Sequence, residues 1–243
     1  AEVAWGTGSE PNEVFNRRWK MRAGAIPANP FGHVDQVRMN PPVGSPDLIE
    51  PAGPTDPEIS VLAVQYLSGE PLALLANYSL HYVGGEGPDH LSADYYGFFA
   101  ERVKVLLDAR DVEPAFVAMM SNGTSGDCNN INFRVGRAAT AAYEQMRKVG
   151  NEAAEVAASV YKSIAWHDWA GLDARSADIA LGVRKPSTED TAQAEQALAQ
   201  AGPGQLSTLP LIYARETLLL SKYPDRVPVR IQAFRIGELG IAQ

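Results

Sequence analysis

The stretch EISVLAVQYLSGEPLALLANYSLH, residues 58–81, decides the fold because it predicts a β-hairpin. Its two apolar halves, residues 58–67 and 71–81, have the pattern of strands, and Ser68-Gly69-Glu70 between them suits a tight turn. We therefore expect this pair of strands to belong to the sheet at the core of the protein.

Strands and helices alternate on both sides of this hairpin. The sequence predicts strands at 1–8, 114–120, 173–183 and 227–242, and helices at 93–109, 137–164, 187–202 and 208–222. Residues 26–57 are rich in proline, glycine, asparagine and aspartate, which is typical of an irregular surface segment. The alternation indicates an α/β fold, a mixed sheet core with flanking helices, incomplete at both ends.

The helices carry signals of where they begin and which face they bury. Ser92 can cap the helix at 93–109, and Ser187 can cap the helix at 187–202. Asp190 stands where a full capping box has Glu or Gln, so this box is predicted to be incomplete. The apolar face predicted for the helix at 137–164 consists of Ala142, Met146, Val149, Ala153, Val156 and Val160.

Length and composition limit the classes of function. The 243 residues suffice for one large domain or two small ones, and the net charge of −8 argues against a nucleic acid as the main partner. The longest apolar runs, such as 72–76, are too short to span a membrane. A single cysteine, Cys128, excludes an internal disulfide and a cysteine-rich zinc site.

The two ends of the sequence suggest that it is part of a longer protein. The opening AEVAWGTG lacks the basic start and apolar core of a signal peptide. The closing RIQAFRIGELGIAQ, residues 230–243, reads as two short apolar strands joined at Gly237-Glu238. Because a domain rarely stops within such a strand, we expect a fragment.

Three groups of side chains could carry chemistry. His81 ends an apolar strand, where it is either structural or one of the three or four ligands that zinc needs, and His90 lacks the spacing of a helical zinc pair. Arg17 and Arg18 form either a solvated pair or a donor for a carbonyl or oxyanion. Asp94 at a helix start is explained by the helix dipole.

The loop SNGTSGDCNN, residues 121–130, follows a strand and is unusually polar. Thr124 and Ser125 are candidate nucleophiles, but Asp127 stands where a nucleophile elbow has its last glycine. The loop also lacks the Gly-Lys-Ser/Thr end of a phosphate-binding loop, so its residues alone predict a polar pocket wall. His33 and His167 are predicted to be packing or surface residues.

Several segments, in the same order along the chain, resemble the neutral/alkaline, non-lysosomal ceramidases, in particular a divergent bacterial branch. The segments are NRR (16–18), LLANYSLHYVGG with LSADYYGFFAERV (74–103), FVAMMSNGTSGDCNNINF (116–133) and VPVRIQAFRIGELGIA (227–242). The resemblance covers most of 1–135 and 225–243 and is weakest through 137–222.

This resemblance implies a function. Residues 1–243 would be the central part of a ceramidase-like N-terminal catalytic domain, a zinc-dependent amidohydrolase that cleaves the N-acyl amide of ceramide-like sphingolipids with a metal-activated water. His81 would be a ligand of Zn²⁺, and Arg17 would face the scissile carbonyl. The catalytic residues would be Arg17, Asp127 and Asn129, and the substrate-binding residues Asn122, Ser125 and Gly126.

Departures from the family leave alternatives open. Asn129 takes the position of the family's active-site serine, Asn130 that of the following proline, and the other zinc ligands are expected outside residues 1–243. The protein could instead hydrolyse another amide or ester, or be a non-catalytic lipid- or glycan-binding domain. The expected partners are a lipid substrate, a membrane surface and the remaining segments of the full-length chain, in a secreted or periplasmic protein.

Overall fold

The computed structural model describes every residue of the chain except Pro203 and Gln205. The chain folds into two compact units. The first unit consists of Ala1–Ile26 and Gln36–Ala170, and the second consists of Pro27–Asp35 and Gly171–Gln243.

A four-stranded mixed sheet forms the centre of the first unit. The strands of this unit are β1 (Glu2–Ser9), β2 (Phe15–Asn16), β3 (Arg18–Met21), β4 (Arg38–Met39), β5 (Leu48–Pro51), β6 (Glu58–Gln65), β7 (Pro71–Tyr78), β8 (Val117–Asn122) and β9 (Cys128–Asn129). The order in the sheet is β1-β6-β7-β8, where β7 and β8 are parallel and the other neighbours antiparallel. The predicted hairpin and mixed α/β class are confirmed.

Helices α1 (Asp94–Leu106) and α2 (Glu144–Ser163) pack on one face of this sheet. Alternate residues of β6 and β7 are buried on that face, as the period of two in a strand requires. The fully buried side chains include Ile59, Val61, Leu74, Tyr78, Phe99, Val103, Met146 and Val149. Each buried side chain of this size stabilises the fold by roughly 1.5–3 kcal/mol, so this core holds the ends of β7 and β8 in place.

Two smaller sheets in the first unit are missing from the sequence-based prediction. Strands β2 and β9 pair with each other, and β3 pairs with both β4 and β5. The stretch 26–57, predicted to be irregular throughout, therefore contains two short strands. Strand β8 also runs on to Asn122, so Ser121 and Asn122 belong to the strand and the loop begins at Gly123.

Helix α2 begins later than predicted. Residues 137–143 are not helical, and Ala142, predicted on the apolar face, is exposed outside the helix. Tyr143 has a left-handed backbone (φ 65°), and its N–H donates to the carbonyl of Gly85 at 3.0 Å. This tertiary contact ends the irregular segment and sets the start of the helix at Glu144.

The second unit combines a three-stranded antiparallel sheet with two helices. Its elements are β10 (Leu172–Gly182), α3 (Thr188–Ala201), α4 (Leu209–Ser221), β11 (Arg226–Ile236) and β12 (Leu239–Ala242), with sheet order β10-β11-β12. The capping box of α3 is complete, contrary to the prediction. Asp190 N–H donates to Ser187 Oγ at 3.0 Å and Ser187 N–H donates to Asp190 Oδ2 at 3.1 Å, so the shorter carboxylate also closes the box.

Across the residues that the structure describes, we find no helix with the length and apolarity needed to cross a membrane.

Candidate functional site

Both candidate segments start at one edge of the central sheet. Because β7 and β8 are parallel, their carboxyl ends meet, and the N–H of Gly123 donates to the carbonyl of Tyr78 at 3.0 Å. A Cβ atom on Gly123 would lie only 2.5 Å from Ser79 Oγ, so the close approach requires glycine. His81 and the loop at 123–130 therefore leave the sheet side by side.

Arg17 holds the loop in its conformation. Its guanidinium donates through Nε (3.1 Å) and Nη2 (2.6 Å) to the carbonyl of Gly126, and its backbone N–H donates to the carbonyl of Asp127 at 2.7 Å. Strand β2, just before Arg17, pairs with β9 within the loop. The structure thus brings together Arg17, Gly126 and Asp127, three of the residues that the sequence singled out.

Asn16 is a residue of this site that the sequence analysis missed. Its amide Nδ2 donates to Asp127 Oδ2 and to the carbonyl of Pro54, both at 3.2 Å, and its Oδ1 accepts the N–H of Arg18 at 2.9 Å. The side chain is only 4% exposed. Asn16 belongs to the NRR segment, so a signal is present in the sequence, but its partners Pro54 and Asp127 are 38 and 111 positions away.

Asn129 uses both atoms of its amide within the fold. Its Nδ2 donates to Asn40 Oδ1 at 3.2 Å, and its Oδ1 accepts the N–H of Ile131 at 2.9 Å, which forms an Asx turn. The neighbouring Asn130 is buried, and among the described residues its Nδ2 has no hydrogen-bond partner. Asn129 therefore shapes the loop, and its predicted catalytic role stays a prediction.

The hydroxyl and thiol groups of the loop differ in exposure. Thr124 is exposed and Ser125 is buried, with the carbonyl of Ser125 accepting the N–H of Cys128 at 3.1 Å. Burial, together with the neighbouring Asp127 carboxylate, raises the pKa of the Cys128 thiol to about 11. The thiol is therefore protonated at neutral pH and is a poor nucleophile there.

His81 follows the end of β7 by three residues and is half-buried. Its ring centroid lies 4.2 Å from that of Tyr82, which is exposed. His90, in contrast, is exposed and has its Nδ1 2.6 Å from the hydroxyl of Tyr143. Asn122, a predicted substrate-binding residue, is exposed at the end of β8, opposite Tyr78.

The two remaining histidines have the packing or surface positions predicted for them. His167 stacks on Trp5 with ring centroids 4.7 Å apart, and its backbone pairs with Val3. His33 is exposed in the second unit.

The described residues do not form a zinc site by themselves. Among them, no three His, Cys, Asp or Glu side chains come together as a metal ion would require. His81 is thus at most one donor, and the zinc assignment stays a prediction.

Comparison with solved structures identifies the fold. The neutral ceramidase from Pseudomonas aeruginosa superposes with a TM-score of 0.60 and 17% identity, over 99% of this chain and 39% of that protein. A ceramidase complexed with C2 gives a TM-score of 0.58 and 16% identity, over 99% of this chain and 41% of that one. The chain has a ceramidase-like fold.

The resemblance expected from the sequence motifs is therefore confirmed at the level of the fold. No protein-family model matches the sequence, and no curated protein is significantly similar to it. The chain spans about two fifths of the length of the ceramidase structures that it matches. What those enzymes do is a basis for proposals about this protein.

Proposed function

We propose that the full-length protein is a hydrolase that cleaves the N-acyl amide of ceramide-like sphingolipids. One observation carries the proposal: in a ceramidase-like fold, the parallel strands β7 and β8 deliver His81 and the polar loop at 123–130 to the same sheet edge. Ends of strands are rigid positions from which loops can reach a ligand. We propose that the full-length protein is secreted or periplasmic and acts at a membrane surface, because ceramide-like substrates are lipids.

Arg17 would supply electrostatic stabilisation in this proposal. Its guanidinium is fixed by two hydrogen bonds to Gly126, so a permanent positive charge is held beside the loop. Amide hydrolysis builds negative charge on the carbonyl oxygen, and a pre-positioned donor typically lowers that barrier by about 3–4 kcal/mol. Asn16 would act by orienting Asp127 within the same loop.

The zinc ion would be bound by the full-length protein and not by these residues alone. We propose that His81 provides one donor and that the others come from segments outside these residues. The fold supports this, because the chain spans only 39–41% of the ceramidases that it matches, and His81 lies at the sheet edge proposed for the site.

The test uses the full-length protein and a fluorescent ceramide. We expect release of the labelled fatty acid, loss of that release after treatment with a chelator, and recovery when zinc is restored. Elemental analysis of the purified protein should find stoichiometric zinc. Absence of fatty-acid release would reject the ceramidase assignment, whereas release that a chelator leaves untouched would reject only the metal.

A second candidate is a hydrolase of another amide or ester. The observation that favours it is Asn129, which takes the serine position of the resembling family and engages its amide with Asn40 and Ile131. A panel of amides and esters tests it: preferential turnover of a compound other than ceramide supports this candidate, and turnover of ceramide alone rejects it.

A further inference from the structure

We infer that Asp94 and Tyr95, in the first turn of α1, are positioning residues that fix the main chain on both sides of His81. The inference rests on the proposed function in one respect, the use of His81 by the active site. The hydrogen bonds that carry it are independent of that use.

The segment after His81 is held by Asp94. The N–H of Val83 donates to Oδ1 of this carboxylate at 2.9 Å, and the N–H of Gly84 donates to Oδ2 at 2.8 Å. The carboxylate also accepts the N–H of Tyr95 at 2.7 Å. Both oxygens are thus engaged, and two of the three bonds go to the segment that carries His81.

The segment before His81 is held by the next residue of the helix. The hydroxyl of Tyr95 donates to the carbonyl of Leu80 at 2.9 Å, and both side chains are fully buried. Burial raises the pKa of Tyr95, so its hydroxyl stays protonated at neutral and mildly alkaline pH and can donate this hydrogen bond. Only His81 and Tyr82 lie between the two points of attachment.

A dipole or capping role does not account for this arrangement. A carboxylate at a helix start ordinarily accepts bonds from the first N–H groups of its own helix. Asp94 accepts one such bond, from Tyr95, but it has a left-handed backbone (φ 53°) and accepts two more from residues ten and eleven positions earlier. Such a conformation persists where the surroundings enforce it, and here it places the carboxylate against the His81 segment.

Hydrogen exchange in the full-length protein tests the attachment directly. Asp94→Asn keeps the size of the side chain but puts an NH₂ group against at least one of the two backbone donors. We expect exchange of the amides of Val83 and Gly84 to accelerate by about tenfold, since a lost hydrogen bond of about 1.4 kcal/mol has that effect.

Asp108→Asn is the matched control. Asp108 lies just beyond the other end of α1, shares the φ of 53°, and its carboxylate makes no hydrogen bond within the described part of the chain. Tyr95→Phe is a milder second variant that removes only the hydroxyl. Equal protection of Val83 and Gly84 in the Asp94→Asn and Asp108→Asn proteins would overturn the inference.

Enzyme kinetics separate positioning from general stability. We expect Asp94→Asn to lower kcat on fluorescent ceramide with little change in KM, while Asp108→Asn keeps the wild-type values. An equal fall in kcat in the two variants would contradict positioning through His81. If His81→Ala alone left kcat unchanged, the proposed function would lose His81, while hydrogen exchange would still decide the attachment.

Discussion

The segment after β7 and the loop after β8 leave the same sheet edge but are held by contacts of different range. Side chains 10–15 positions away, Asp94 and Tyr95, hold the His81 segment. Side chains 89–111 positions away, those of residues 16, 17 and 40, hold the loop. The first arrangement is encoded locally, whereas the second exists only once distant parts of the chain have come together.

This difference predicts where the site is vulnerable. Changes in the long-range contacts should loosen the loop and leave the His81 segment intact. A change at the point where the two segments touch should disturb both.

The largest loss of stability is expected at Gly123, where the two segments touch. A Cβ at Gly123 would lie 2.5 Å from Ser79 Oγ and 3.0 Å from Asn77 Oδ1, so Gly123→Ala should destabilise the protein by about 1–3 kcal/mol. Gly126→Ala is the matched control, because its Cβ would meet nothing within 4 Å. Denaturant unfolding of both full-length variants measures the difference, and equal midpoints would contradict the close approach of the two segments.

A smaller effect, more frequent opening of the loop, is expected when Arg17 is replaced. Arg17→Ala removes two hydrogen bonds to Gly126, so the loop should open more often and the buried Cys128 should be alkylated about tenfold faster, the equivalent of about 1.4 kcal/mol. The neighbouring Arg18 is exposed, and its guanidinium makes no hydrogen bond within the described residues.

Mass spectrometry of the peptide that contains Cys128 gives the rates for Arg17→Ala and for the control Arg18→Ala. Unchanged labelling in Arg17→Ala, or equal acceleration in both proteins, would show that the guanidinium does not restrain the loop.

The smallest effect is a fall in the stability of the fold at alkaline pH. The pKa of Cys128 rises from 9.0 to about 11 on burial, so between these values the unfolded chain loses the thiol proton before the folded one does. Cys128 therefore destabilises the fold as pH rises through that window and has no such effect below it.

We expect the unfolding midpoint of wild type to fall more between pH 8 and pH ~10.5 than that of Cys128→Ala, since only wild type has this titration. Parallel pH profiles of the two proteins would mean that the thiol titrates normally in the fold.

The sequence was informative wherever local pattern determines structure. Apolar periodicity was enough for the hairpin at 58–81, and turn residues located the bend at Gly237. The two-residue strands β2 and β9 are too short to show any period, and they form because distant segments pair. The start of α2 likewise depends on the contact of Tyr143 with Gly85.

The candidate site shows the same division. The sequence located His81 and the loop because strand ends and polar loops are visible in a linear pattern. It missed Asn16, whose partners Pro54 and Asp127 are 38 and 111 positions away. It also attributed Asp94 to the helix dipole, because nothing in the spacing indicates that the carboxylate binds the backbone of Val83 and Gly84.

The most direct test of the account is the rate of ceramide hydrolysis by full-length wild type, His81→Ala and His90→Ala. His90 is a suitable control because it lies nine positions on and is exposed. We predict that His81→Ala reduces turnover to background while His90→Ala keeps the wild-type rate. Turnover in His81→Ala equal to that in His90→Ala would contradict the assignment of the active site to this sheet edge.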